Sequence, residues 1–171
     1  CSVKPMGIGS FAVRQARAKA ESENRDLTEK DFDRATSYGD RATIVFTDFA
    51  YAHFALGACH EAAGWVNPDR YDAALKCYED ALARIPIPGP EKVRVLTAKA
   101  YVQIEKEQFD GAIETAQKAI DIDRNDLTAY GHAGFALCAL GKPQDAINRF
   151  YKPALKVDPK CARILHDMGV A

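Results

Sequence analysis

The sequence lacks any apolar run approaching the roughly 18 to 20 residues that carry a helix across a membrane. Its longest apolar stretch, Phe49 to Gly64, is interrupted by Tyr51, His53, His60 and Glu61. An excess of charge is also missing. The net charge is -1, with no block of one sign, which removes the general electrostatic basis for binding nucleic acid. None of the five cysteines, at positions 1, 59, 77, 138 and 161, forms a CxxC pair. That excludes the common zinc and redox spacings and the haem-attachment signature. No strand pattern precedes a glycine-rich phosphate loop, and no nucleophile or acid-base pair stands out as a catalytic constellation. No enzyme and no cofactor are expected.

What is present is ordinary for a folded chain: 171 residues, 47% hydrophobic and 27% charged, enough for one domain or one short array of repeats. Residues 1–9, with Pro5, Gly7 and Gly9, read as a tether. Residues 10–49 read as N-terminal helices, a cap or an irregular first hairpin. Ser10 is placed to cap a short helix, and Thr28 caps another that carries Phe32 and Ala35 as far as Ser37–Asp40. The next helix is expected from about Arg41 to Ala63.

Beyond residue 50 the same order of residue types recurs. Tyr130-x-x-Ala133-Gly134-x-x-Leu137 is followed by Ala146-x-x-x-Phe150 and Asp158-Pro159. Before it stands His53-x-x-Leu56-Gly57-x-x-His60, followed by Ala74-x-x-x-Tyr78, Ala81 and Pro86. Gly134 and Ala146 are small where two antiparallel helices must touch, while Tyr130, Leu137 and Phe150 fill the space between hairpins. The array resembles the tetratricopeptide repeat, a helix-turn-helix unit of 34 residues. Ala112 to Ala146 and Ala100 to Gly134 each span 34 positions, which sets the register. The resemblance covers residues 50–171, with repeats at about 50–86, 91–124 and 127–159 and a half-repeat at 162–171. It implies an all-α solenoid of antiparallel hairpins with a C-terminal capping helix.

Three places depart from a generic repeat. Five extra residues around Gly64–Pro68 lengthen one turn and bring the only tryptophan, Trp65. The stretch from Pro86 to Pro90 breaks the chain between repeats. Pro153 lies inside a helix, where it removes a hydrogen bond and should kink or bulge the backbone.

The resemblance implies protein binding on the concave surface, with Tyr51, Phe54, Arg94, Tyr101 and Phe135 as candidate contacts and Trp65 as a candidate at the turn insertion. Phe54 and Ala58 stand where the co-chaperone branch of the family has a lysine and an asparagine, so a carboxylate clamp is not expected. The N-terminal helices are an alternative filling for that groove. His53 and His60, seven apart, read as packed core histidines, with a metal or small apolar ligand as the alternative. Asp121 to Asp126 alternates oxygen ligands but lacks the central glycine and closing glutamate of a calcium loop, and reads as an inter-repeat turn. Cys59 and Cys77 read as buried thiols, with a disulfide as the alternative.

Cys1 followed by Ser2 resembles a mature bacterial lipoprotein, which implies lipid attachment at Cys1. The expected function is a non-enzymatic scaffold or adaptor for a partner protein, anchored in the periplasm as an accessory subunit of an envelope complex. A cytoplasmic adaptor with an accidental Cys1 is the alternative.

Overall fold

The computed structural model describes residues 8–23 and 25–170, with side chains described for 15–23 and 25–169. Cys1 and most of the expected tether lie outside these residues. The described chain is helical, with no strand among the described residues. It divides into two compact units, one up to Pro86 and one from Ile87.

The first unit holds α1 (Ile8–Ser22), α2 (Lys30–Val45), α3 (Ala50–Gly64) and α4 (Arg70–Ala83). Helix α1 starts at Ile8, so Ser10 lies inside it rather than capping it. In the first turn of α2, Asp31 accepts hydrogen bonds from the Thr28 backbone N–H and hydroxyl, at 2.9 and 3.0 Å, so Thr28 donates to this helix and its side chain does not cap it. Arg25 clamps the same carboxylate through Nη1 and Nη2. These bonds hold the Asp31 carboxyl far below the usual range, Arg25 being the largest cause.

The expected break near Gly39 is not there: α2 runs through it to Val45, and the chain turns at residues 46–49 instead. Packing explains the difference. A Cβ at Gly39 would stand 2.8 Å from Leu56 Cδ1, so this glycine allows α2 to approach α3 closely and does not end a helix. Ala16, Phe32, Ala62 and Ala63 form a buried cluster with Leu27 against it. Helix α1 packs along α3 as well as against α2.

The second unit holds α5 (Pro90–Glu105), α6 (Phe109–Ile122), α7 (Leu127–Ala139), α8 (Pro143–Ala146), a π-helical segment (Ile147–Tyr151), α9 (Lys152–Val157) and α10 (Ala162–Val170). Its two hairpin turns are copies of each other, 34 residues apart. Gln108 N–H donates to Gln103 O and Lys142 N–H to Leu137 O, the six-to-one bond of a helix ending in a left-handed residue. That residue is Gly141 (φ 72°) in one turn and Glu107 (φ 57°) in the other, so the degenerate repeat keeps the turn without the glycine that suits it. The turns between repeats match too. Asp123 and Asp158 each accept from the backbone N–H two residues on, so Arg124 serves in one where Pro159 serves in the other. Asp126 caps α7 through Thr128 and Ala129, and Asp121 accepts from Gln117 Nε2. The acidic run is thus occupied by turn and helix-surface bonds.

Pro153 produces the expected bulge, as the π-helical segment. One consequence corrects the repeat register. A Cβ at Gly134 would overlap the Tyr151 ring, so the aromatic residue seated on this glycine is Tyr151, one place beyond Phe150. Phe150 is buried beside it. In the first unit Tyr78 sits on Gly57 in the same way, 2.6 Å from a built Cβ. The hydroxyls follow the pattern: Tyr78 donates to Glu61 at 2.5 Å, and Tyr151 lies 3.9 Å from Cys138 Sγ. Glu61 and Cys138 each stand four residues after the seating glycine.

Candidate interaction surfaces

In the first unit, the 46–49 turn and the start of α3 display a row of rings. Phe49 and Tyr51 have centroids 6.0 Å apart, Tyr51 and Phe54 6.3 Å, and Phe54 and Tyr78 5.8 Å, all tilted. The row climbs from Tyr78, which is fully buried, through half-buried Phe54 to Tyr51 and Phe49, 46% and 57% exposed. The turn beneath is pinned at Thr47 O, which lies 2.9 Å from His53 Nε2 and accepts from Arg84 Nε at 2.5 Å. Aromatic rings fixed on such a base present apolar area with little left to immobilise.

The structure thus brings Tyr51 and Phe54 together and adds Phe49, which sequence reasoning missed because it placed the break nine residues too early. Among the described residues, α1 and α2 leave Phe49 and Tyr51 of this row exposed. Helix α1 meets α3 at Ala62 and Ala63 and reaches Trp65, whose ring lies 5.9 Å from Arg17 Cζ. The lengthened Trp65 turn is tied to the same helices, since Asn67 and Arg70 both engage Glu29. Ile44, Val45 and Phe46 extend the exposed apolar surface next to the row.

His53 and His60 do not converge. His53 holds the Thr47 carbonyl, while His60 Nδ1 is buried with no hydrogen-bond partner. Burial lowers the His60 pKa, helped by Arg70. Among the described residues, no three His, Cys, Asp or Glu side chains gather as a metal site. Cys59 and Cys77 are buried free thiols, each pushed up to about 11 chiefly by burial.

In the second unit Arg94 is exposed on α5, Tyr101 is half-buried, and Phe135 on α7 is 51% exposed. Tyr101 lies 6.0 Å from the His132 ring. His132 bonds the Thr97 main chain and leaves Nδ1 buried without a partner. Burial, then the nearby Arg163 charge, lower its pKa to about 4. Thr97, three residues after Arg94 on α5, is buried and donates to Asp126 Oδ2 at 2.9 Å.

His132 makes stability depend on pH. Its folded pKa lies below the unfolded value of about 6.5, so its contribution is complete above that value and is lost as pH falls towards about 4. Going from pH 7 to pH 5 should cost about 2 kcal/mol. His132→Gln, which keeps a donor for Thr97, should remove that slope in urea unfolding measured across pH. An unchanged slope would mean the histidine is not held neutral.

Among the described residues no helix is long and apolar enough to cross a membrane. Comparison with known proteins bears on the fold. A tetratricopeptide repeat family model matches residues 69–126. Small glutamine-rich tetratricopeptide repeat-containing protein 2 of Saccharomyces cerevisiae is 28% identical over 88 residues, 52% of this chain. The match spans about a quarter of the yeast protein, 24% of its length. The crystal structure of MamA aligns with a TM-score of 0.70 at 16% identity, over 96% of this chain and 82% of MamA. YrrB, described as a TPR protein with an unusual peptide-binding site, aligns with a TM-score of 0.63 at 22% identity, over 95% of this chain and 73% of YrrB. These likenesses agree with the helical hairpins and their 34-residue register.

Proposed function

We propose that this chain is a tetratricopeptide-repeat protein acting as a non-enzymatic scaffold, which binds a partner protein through exposed aromatic side chains. The observation that carries the proposal is the ring row Phe49–Tyr51–Phe54 standing on buried Tyr78. Rings of this kind are the residues on which interface energy concentrates. A peptide-binding site in YrrB, a protein of like fold, supports the class of partner. Trp65, Arg94, Tyr101 and Phe135 belong to the same proposal as further contacts.

The finer part of the proposal is location. Cys1 acylated by several chains would hold the scaffold stably at a bacterial membrane, facing the periplasm, whereas one chain holds only marginally. Its support is the Cys1-Ser2 pair alone.

One preparation tests both parts. The protein is isolated from its source membranes without overexpression and its intact mass is measured together with anything that co-isolates. A stoichiometric protein partner is expected, and Phe49→Ser with Tyr51→Ser should reduce its recovery at least tenfold while the melting temperature holds. A chain that always isolates alone would remove the scaffold reading, and an unmodified Cys1 thiol would remove the anchor.

A further inference from the structure

The second unit sets one cation where α7 has no side chain. Gly131 lies one turn before Phe135 on α7, and Arg163 of α10 lays its guanidinium across it. A Cβ built at Gly131 would stand 3.1 Å from Arg163 Nη2 and 3.2 Å from Cζ, so only glycine leaves this seat open without displacing the arginine. Arg163 is only loosely paired with Asp167 on its own helix. Its Nε is 4.0 Å from Asp167 Oδ2, the outer limit of ion pairing, and 34% of the side chain is exposed. Its charge is also felt by His132 on α7, where it adds to burial in keeping that imidazole neutral. One turn away, Phe135 offers an exposed ring.

We propose that Arg163 and Phe135 form a two-point site for an extended segment of the partner, which places an acidic side chain on Arg163 and an apolar side chain on Phe135. The proposal rests on the protein-binding reading above and names the chemistry of the partner. Four residues of α-helix rise about 6 Å. Alternate residues of an extended strand stand about 6.6 Å apart on one face. An acidic and an apolar residue two apart therefore match the step from Gly131 to Phe135. Charge complementarity selects the carboxylate: it can accept two N–H bonds from a guanidinium with exposed donors and pairs with its charge, whereas a neutral amide of the same shape offers one acceptor oxygen and no charge. The recognised carboxylate is a side chain within the segment, so the site does not require a chain terminus.

The test uses the full chain and a display library of random twelve-residue inserts with no free end. Enriched inserts are expected to carry Asp or Glu two places from Leu, Ile, Met or Phe. A synthetic peptide blocked at both ends and centred on Glu-Ser-Leu should lose about tenfold in affinity when Glu becomes Gln, or when the protein carries Arg163→Gln. Arg163→Glu should turn the preference to Lys-Ser-Leu, a reversal that a purely structural arginine would not produce. Melting curves of both variants check that they fold. Enrichment without an acidic residue, an empty selection, or indifference to Arg163→Glu would each overturn the inference. The wider reading is judged separately: a native partner recovered equally well by the Arg163→Glu chain removes this inference alone.

Discussion

Replacing Tyr78 with alanine should cost about 3–5 kcal/mol, the range for deleting a large buried ring. The ring is fully buried, rests on Gly57, supports Phe54 and donates to the buried Glu61 carboxylate. Deletion therefore leaves a cavity and takes a donor from a buried acid at once. Tyr78→Phe separates the two effects. It keeps the packing and should cost about 1–3 kcal/mol, the penalty for withdrawing a partner from a buried polar group. Chemical unfolding followed by circular dichroism measures both. A Tyr78→Ala loss below about 1 kcal/mol would mean that the ring is not the keystone of the α3–α4 hairpin. The same variant should weaken partner recovery, because the exposed rings of the row lose their base.

Introducing valine at Gly134 should cost about 3 kcal/mol, at the upper end for overpacking a close-packed site. The new side chain would occupy the volume of the Tyr151 ring, which is itself almost wholly buried. The π-helical segment gives this prediction a specific partner. If Tyr151 is the residue on Gly134, then Gly134→Val combined with Tyr151→Ala should cost clearly less than the two changes separately, since the valine refills part of the lost ring. Gly134→Val with Phe150→Ala should show no such relief. The opposite pattern would show that the helix keeps its α register through Pro153.

Much of this architecture was written in residue spacing. The 34-residue steps from Ala100 to Gly134 and from Ala112 to Ala146 placed the α5–α8 hairpins, because a repeated unit can bury its apolar face only by presenting the same small and large residues at the same points. Pro90 and Pro143 open α5 and α8, and Asp126 caps α7, because each acts on its own backbone neighbours. Pro153 announced a distortion for the same reason. The break between α2 and α3 was not legible. Gly39 has the local signature of a helix end and is in fact a point of close approach to Leu56, a residue 17 positions away. As a result Phe49 was read as the interior of a helix.

For this protein the sequence by itself determined the helical class, the hairpin length and the small residues on which rings must rest, since these follow from local backbone chemistry and from periodicity. Tertiary structure alone decided which ring takes each seat and which cation crosses a bare glycine. It also decided which aromatic residues stay in water. Tyr151 displaces Phe150 because one extra residue in a π turn rotates everything after it. Arg163 reaches Gly131 because α10 packs on α7. Phe49 and Tyr51 are exposed because α1 runs to Trp65 and leaves them uncovered. Each of these outcomes depends on contacts between residues distant in the chain, and spacing along one helix carries no information about what will lie against it.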